Sequence, residues 1–336
     1  MSRTVKKLLN SAEHLRSELI QGLCFANNGR ISSLEEYSSV YQDVSSTRPV
    51  IISGGGSGHE PTFAGFVGKG GIDGCAVGEV FSSPSPDQVI GVSQKLNKGE
   101  GVLFIIGNYA GDSMNFEIAA ELLQEEGISV LTIKGTDDIA SAPPSDVESR
   151  RGVAGIMYLY KLAGAAANYK NMALDELYSM LQRVNTRIKT IGVALDGCAL
   201  PHTEKLNFSL AEDELELGIG IHGEAGLCRT KIKSADEVVE DMVHRLCEEL
   251  ILSSDEKLIV TVNNMGGLSM AELFIITRKV ALCCQERNMP VLDINVGHFC
   301  SSLDMPGFSI TFFAADEVSQ ELYSYPIDTL AWSKGE

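Results

Sequence analysis

His222 is the residue of this chain whose surroundings most suggest chemistry. It lies in residues 216–226, ELGIGIHGEAG, where four of the eleven residues are glycine. Backbone amides and open space beside an imidazole ring suit contact with a small ligand. Glycines at this density are also typical of an ordinary tight turn. The segment alone leaves two interpretations open, a ligand-binding histidine and a turn histidine without a ligand.

A second glycine-rich segment follows the predicted strand in RPVII. Residues 53–58, SGGGSG, hold four glycines and two serines, so several N–H groups and hydroxyls can converge on one small polar ligand. The phosphate-loop pattern GxxxxGK(S/T) is absent, and no GxGxxG pattern has a following helix and a ribose-binding acid. We therefore expect a small anion or polyol rather than a nucleotide, with a glycine-rich turn as the alternative.

Two titratable residues end segments that follow predicted strands. His59 ends SGGGSGH, and Asp112 ends GNYAGD after the next strand along the chain. Ligands bind beyond the carboxyl ends of strands in open α/β sheets, so both side chains are expected to face one pocket. A His–Asp pair there could handle the proton of a hydroxyl. Asp112 is also suited to be a helix N-cap before SMNFEIAAEL, and the two roles are compatible.

The remaining histidines are weaker candidates. His14 and His244 lie on helix-like stretches and are expected to be exposed or packing residues. His202, after CALP, is expected in a surface loop. His298 lies in the glycine-flanked segment VGHFCSS and remains a candidate.

Short apolar runs alternate with amphipathic segments along the whole chain, which predicts an α/β architecture. We expect two packed α/β domains with mixed sheets. Residues 1–185 would form an N-terminal domain with the GGGSGHE and NYAGD segments. Residues 186–336 would form a C-terminal domain that carries His222. A fresh series of strands begins at this boundary, although no Pro/Gly linker marks it.

Composition excludes several classes of function. The chain has 336 residues, of which 44% are hydrophobic and 21% charged, as expected for a globular protein. No apolar run approaches the ~20 residues of a membrane-spanning helix, and the N-terminus lacks the apolar region of a secretory signal. We therefore expect a cytoplasmic protein that does not bind membranes.

Charge and cysteine content exclude further classes. The formal net charge of −18 should repel a phosphate backbone, so direct binding of nucleic acid is not expected. The eight cysteines form no CxxC pair, which favours reduced thiols over disulfides or zinc. No metal and no cofactor are expected.

Several long motifs, in one order along most of the chain, resemble the K subunit or domain of the dihydroxyacetone kinases. The motifs are SGGGSGHEPTFAGFVGKG, GEVFSSPSPDQ, NYAGDSMNFEIAAE, RRGVAG, ELGIGIHGEAG, VNNMGG and SSLDMPGFSIT. The resemblance implies two α/β domains and a homodimer. It implies that His222 bonds covalently to the substrate carbonyl as a hemiaminal and that Asp112 takes a substrate hydroxyl proton. The residues that it places on the ligand are Gly55, Gly56, Ser57, Gly58 and His59.

This chemistry gives His222 a reason to lie among glycines. A neutral imidazole is a competent nucleophile, with an unperturbed pKa of ~6.5, and a ketone between two CH₂OH groups is an electrophilic carbonyl. A hemiaminal selects ketones and aldehydes, so glycerol would be excluded because it has no carbonyl rather than by shape. The glycines beside His222 would leave room for the adduct.

The sequence departs from the family pattern at the expected transfer site. GNYAGD replaces the usual KNYTGD, so Gly107 stands for a lysine that contacts the ligand and Ala110 for a threonine. Phosphoryl transfer depends on such electrostatic help, and loss of one preorganised donor costs about 10²–10³ in rate. The segment SAPPSDVESRRGVAGI also departs from the family and would suit a partner surface, with Ser149 in place of a glycine.

Two functions remain after these departures. The favoured hypothesis is a non-kinase paralogue that binds dihydroxyacetone through His222 and acts as a co-activator of a transcription regulator. The alternative is a kinase K subunit that presents dihydroxyacetone to a separate nucleotide-bearing L subunit, because the sequence up to Glu336 has no appended L domain. Enzymatic activity is thus left open. A fatty-acid or phosphate carrier is disfavoured because His222 would then have no purpose.

Overall fold

The structure, a computed structural model, describes residues 6–201, 203 and 205–335. His202 therefore lies outside the described residues. Fifteen strands are present in this part of the chain: β1 Ser32–Leu34, β2 Ser39–Tyr41, β3 Val50–Ser57, β4 Gly68–Lys69, β5 Gly74–Val80, β6 Val102–Gly107, β7 Val130–Gly135, β8 Ile188–Ala194, β9 Glu214–Leu217, β10 Cys228–Lys231, β11 Lys257–Asn264, β12 Val291–Gly297, β13 Gly307–Ala315, β14 Ile327–Thr329 and β15 Ser333–Lys334.

Eight α-helices alternate with these strands in the described residues: α1 Leu15–Ala26, α2 Pro86–Leu96, α3 Ala110–Glu125, α4 Ile156–Tyr169, α5 Leu174–Thr186, α6 Ala235–Glu249, α7 Met270–Glu286 and α8 Glu317–Ser324. Capping boxes fix the starts of three of them, α2 at Ser85, α6 at Ser234 and α7 at Ser269.

The chain divides into two compact units. Unit 1 comprises Met1–Ala12, Thr136–Gly155 and Thr186–Val318, and unit 2 comprises Glu13–Gly135, Ile156–Asn185 and Ser319–Glu336. The chain passes between the units five times, and one of these crossings, after Asn185, lies at the expected boundary. Each unit also contains residues from the other side of that boundary. The division into two continuous domains remains a prediction.

Unit 2 contains a six-stranded sheet in the order β1-β2-β5-β3-β6-β7. Strands β5, β3, β6 and β7 are parallel, and β2 and β1 extend the sheet in antiparallel register. The core between this sheet and helices α2 and α3 includes Ile52, Val92, Phe104 and Phe116. A small separate sheet has the order β15-β14-β4.

Unit 1 contains a second six-stranded sheet, in the order β10-β9-β8-β13-β11-β12. Its neighbours are antiparallel except for the parallel pair β11 and β12. Helices α6 and α7 cover it through an apolar core that includes Val260, Leu273 and Phe312. Both units thus combine helices with a mixed sheet, which confirms the predicted fold class.

The predicted loop at residues 53–58 is largely a strand, because β3 continues through Ser57. Its glycines pair with β5 in parallel register, Gly54 with Ala76 and Gly56 with Gly78. A methyl group on Gly54 would lie 2.6 Å from the carbonyl oxygen of Ala76. The glycines therefore serve a close approach of neighbouring backbone rather than a turn, and the expectation of a loop here was wrong.

Substitution at Gly56 tests this close approach. Gly56→Ala should lower the free energy of unfolding by about 1–3 kcal/mol, because the new methyl group would lie 2.6 Å from the backbone nitrogen of Ser82. Gly22→Ala is the matched control. Gly22 is exposed in α1, and a methyl group added there would meet nothing within 4 Å outside its own helix, so alanine should stabilise the helix by up to about 1 kcal/mol. Urea denaturation that gave the two variants equal stability would contradict the packing of β3.

A buried lysine of unit 2 forms hydrogen bonds to backbone carbonyl groups at the end of α8. Lys161 of α4 donates hydrogen bonds from Nζ to the carbonyl oxygens of Leu322 at 3.1 Å and Tyr325 at 2.7 Å. Burial lowers the pKa of Lys161 to about 8, and the nearby charge of Lys334 acts in the same direction. Lys161 therefore helps to satisfy carbonyl groups at the C-terminal end of α8.

Three further observations bear on the class of protein. All eight cysteines are free thiols. Across the described residues, no helix is long and apolar enough to cross a membrane. In the same part of the chain, no three His, Cys, Asp or Glu side chains cluster in a way that could hold a metal ion.

Candidate functional site

The first group of candidate residues follows parallel strands of unit 2. Because β3, β5 and β6 are parallel, their carboxyl ends meet at one edge of the sheet. His59 comes two residues after β3, and Asp112 lies in α3, which follows β6. Gly107, at the position of the family lysine, is the buried last residue of β6 and pairs with Gly135 of β7.

His59 is held by aromatic rings. It is only 1% exposed, and its imidazole stacks on Phe81 with ring centroids 4.9 Å apart and meets the edge of Phe63 at 6.2 Å. Gly55 makes this arrangement possible, because a methyl group there would lie 2.1 Å from the Phe63 ring. Phe81 was not singled out from the sequence, although it lies within the GEVFSSPSPDQ motif.

Asp112 is the third residue of α3 and is 7% exposed. The expectation that it is the helix N-cap was wrong, because Tyr109 occupies that position in extended conformation. The carbonyl oxygen of Tyr109 accepts the amide of Ser113 at 2.8 Å, so the first turn closes before Asp112 could cap it. A carboxylate in the first turn is still favoured by the helix dipole.

Polar groups at the end of β3 already have partners within the protein. The backbone N–H of Gly58 donates to both carboxylate oxygens of Glu60, at 3.1 and 2.9 Å. Burial raises the pKa of Glu60, and this hydrogen bonding opposes the rise. The Ser57 hydroxyl donates to the carbonyl oxygen of Gly78 at 2.7 Å, which leaves its oxygen lone pairs as acceptors. Glu60 was missed from the sequence, although it directly follows His59.

The second group surrounds His222 in unit 1. The imidazole is 26% exposed, its Nδ1 lies 2.9 Å from Oε1 of Glu224, and its backbone N–H donates to Oε2 of Glu224 at 3.0 Å. Asn207 Nδ2 donates to the His222 carbonyl oxygen at 2.9 Å. The backbone and the ring of His222 are thus both fixed.

Glu224 determines which ring nitrogen of His222 carries the proton. Burial alone would raise the pKa of Glu224. The hydrogen bond and charge of His222, with a contribution from the charge of Arg151, outweigh burial and lower this pKa to about 2. An ionised carboxylate only accepts hydrogen bonds, so Nδ1 must carry the proton that Glu224 receives. In the neutral imidazole this leaves the lone pair on Nε2. The sequence analysis missed Glu224, although its spacing two residues after His222 could have indicated it.

The glycines beside His222 have a different role from the one expected. A methyl group on Gly220 would lie 2.1 Å from Oε2 of Glu224, and one on Gly223, with φ +83°, would lie 2.3 Å from Nδ2 of Asn207. The space at these two glycines is therefore filled by the groups that fix His222. The expectation that they leave room for an adduct was wrong for these positions.

The other histidines in the described part of the chain lie outside both groups. His14 precedes α1 and is exposed. His244 is exposed on α6 with Glu248 at 3.5 Å, and His298 is exposed after β12. This agrees with the exposure expected for His14 and His244.

The class of this protein is thus α/β, with a buried histidine after a glycine-rich strand in unit 2 and a histidine hydrogen-bonded to a carboxylate in unit 1. The chain belongs to the Dak1 domain family, which matches residues 21–331. The resemblance inferred from the motifs is thereby confirmed.

Relatives of two kinds match nearly the whole chain. The dihydroxyacetone-binding subunit DhaK of the PTS-dependent dihydroxyacetone kinase 1 of Listeria innocua is 36% identical, with 98% of this chain and 100% of the relative aligned. The solved structure of the dihydroxyacetone kinase operon co-activator Dha-DhaQ is 30% identical, with a TM-score of 0.89 over 95% of this chain and 98% of that one.

A third match is to a larger protein. The crystal structure of the dihydroxyacetone kinase from C. freundii in complex with AMP-PNP and Mg²⁺ is 33% identical, with a TM-score of 0.91. The match covers 99% of this chain and 61% of the kinase chain. The fold of this chain is therefore that of DhaK-like proteins.

Proposed function

We propose that this chain binds dihydroxyacetone as a hemiaminal on His222 and acts as a dihydroxyacetone-responsive co-activator of a transcription regulator. The observation that carries the non-kinase part is Gly107, the residue at the end of β6 where the family has a lysine. Family membership and the fixed imidazole of His222 support the binding part. A homodimer and a cytoplasmic location complete the proposal, and light scattering of the purified protein tests the dimer.

The proposed adduct forms without loss of any group. Nε2 of His222 attacks the ketone carbon, and the electron pair of the C=O bond moves to oxygen, which takes a proton from water. The ring releases its Nδ1 proton along the hydrogen bond to Glu224 and on to water, so that one proton is gained and one is lost. The product is a neutral hemiaminal that contains the whole ligand, so the protein mass rises by one dihydroxyacetone.

Asp112, His59 and the end of β3 are proposed to take the ligand hydroxyls. Asp112 would accept a hydroxyl proton in a hydrogen bond, and His59 would hold one end of the ligand. Backbone N–H groups of Gly55 and Gly56 and the acceptor lone pairs of Ser57 would complete the contacts, whereas Gly58, whose N–H donates to Glu60, would contribute close backbone approach. The burial of Asp112 supports this role, because a carboxylate shielded from water makes stronger hydrogen bonds.

Asp112→Asn tests the hydroxyl contact. We expect dihydroxyacetone to bind roughly 10- to 100-fold more weakly, as when a hydrogen bond to a charged group is lost, while the adduct still forms at high ligand concentration. Intact mass spectrometry across a ligand titration measures both effects. Glu121→Gln, an exposed change on the same helix, is the control and should leave the titration unchanged. An unchanged Asp112→Asn titration would remove Asp112 from the proposed site.

The alternative function is a kinase K subunit that presents dihydroxyacetone to an L subunit. It is favoured by the 36% identity to a kinase subunit over the whole chain and by the presence of His59 and Asp112. A phosphorylation assay with purified L subunit and its phosphodonor, run beside intact mass spectrometry, separates the two functions. Adduct without turnover supports the co-activator, and adduct with turnover identifies the kinase subunit.

A further inference from the structure

Arg151 joins two carboxylates within unit 1. Its Nε donates to Oδ2 of Asp138 at 2.8 Å, and its NH2 lies 2.7 Å from the same oxygen. NH1 lies 3.8 Å from Oε2 of Glu224, and NH2 also donates to the carbonyl oxygen of Gly218 at 3.1 Å. The guanidinium therefore connects the segment Thr136–Gly155 to the loop that carries His222.

Arg151 is itself firmly held. Its side chain is 13% exposed. Its backbone N–H donates to the Ser141 hydroxyl at 2.9 Å, and its carbonyl oxygen accepts the amide of Asp138 at 3.1 Å. Asp138 is fixed in turn by the amide of Ala140, which donates to Oδ1 at 3.0 Å. A planar guanidinium anchored in this way offers the facing carboxylate a rigid cationic partner.

Gly220, in the loop that carries His222, allows Arg151 and Glu224 to come close together. A methyl group on Gly220 would lie 2.6 Å from NH1 of Arg151 as well as 2.1 Å from Oε2 of Glu224. Only glycine leaves both groups in place. At 3.8 Å the contact is one of charge rather than a hydrogen bond, and its weight is increased by partial burial of both groups.

We propose that Arg151 is a positioning residue, which holds Glu224 and thereby fixes the ring orientation and tautomer of His222. The proposal extends the proposed function, because it concerns the same covalent histidine. Arg151 would act through Glu224, whose oxygens accept hydrogen bonds from Nδ1 and from the backbone N–H of His222. Mutation of the outer hydrogen-bond partners of metal-binding histidines typically costs roughly 10- to 100-fold in affinity or activity, and we expect an effect of this order for Arg151.

A double-mutant cycle tests this pathway. The rate of adduct formation with dihydroxyacetone is measured by intact mass spectrometry for the wild type, Arg151→Met, Glu224→Gln and the double variant. Arg151→Met should lower the rate of adduct formation roughly 10- to 100-fold, and Arg151→Lys should retain part of the wild-type rate. In the Glu224→Gln background, Arg151→Met should lower the rate less than about threefold. Additive losses would overturn the proposal, because a merely structural role would weaken both backgrounds equally.

A second measurement separates this proposal from the proposed function. Nitrogen-15 NMR of the ligand-free histidines reports the tautomer of His222 whether or not an adduct forms. We expect the Nδ1-protonated tautomer in the wild type and mixed tautomers in Arg151→Met, or in Arg151→Lys if the methionine variant does not fold. If the wild type forms no adduct but its tautomer still differs from that of Arg151→Met, only the covalent function is refuted. An unchanged tautomer would refute the role of Arg151.

Discussion

We expect His222→Ala to abolish the mass increase that the proposed adduct with dihydroxyacetone should give the wild-type chain. No other group in the proposed mechanism supplies a nucleophile, and without a covalent bond the proposed hydroxyl contacts would not hold the ligand through mass analysis. The measurement is the intact mass after incubation with dihydroxyacetone and removal of free ligand.

His244→Ala is the matched control for this experiment. His244 is exposed on α6, so its loss should leave the adduct intact. Retention of ligand mass by His222→Ala would show that the covalent proposal is wrong. Absence of the ligand mass in both variants would instead indicate that the substitutions disturb the structure of unit 1.

Gly107→Lys should raise phosphorylation of dihydroxyacetone by about 10²–10³ in the presence of an L subunit and its phosphodonor. A lysine at the end of β6 restores the positive charge that the family pattern has at this position, and a preorganised cation stabilises the charge that develops in phosphoryl transfer. A coupled assay of phosphorylated product measures the effect.

Gly107→Met controls for this substitution, because it has similar length and no charge. An equal gain in the methionine variant would mean that bulk rather than charge matters. A wild type that already turns over at the rate of Gly107→Lys would refute the co-activator proposal and favour the kinase alternative.

The fold class could be predicted because buried strands and half-buried helices each leave a local pattern of apolar residues in the sequence. An apolar run such as β6, VLFIIG, must be covered on both faces, and it is followed by an amphipathic helix that supplies part of that cover. The histidine candidates could be ranked for a similar reason, since a helical histidine among charged residues is usually exposed. His244 behaves in this way.

Other features depend on contacts that no local pattern encodes. The extension of β3 through Ser57 follows from pairing with β5, and glycines inside a strand resemble glycines in a loop. The start of α3 depends on the extended backbone of Tyr109. The space beside Gly220 is occupied in part by the side chain of Arg151, which lies far away in the sequence. Tertiary contacts of this kind also assign residues 136–155 to unit 1, where Thr190 donates to the carbonyl oxygen of Asp137 at 2.7 Å.

The hydrogen bonds of Lys161 constrain the order in which the chain can fold during synthesis. This lysine emerges from the ribosome well before Leu322 and Tyr325, whose carbonyl oxygens receive its ammonium group. Until Ser319–Glu336 has been made, unit 2 also lacks β14 and β15, the partners of β4. A nascent chain halted at residue 185 would have to bury a charged group without its partners, which costs several kcal/mol. Unit 2 therefore cannot be completed before Leu322 and Tyr325 have been synthesised, and residues 1–185 expressed alone should not reach the native state.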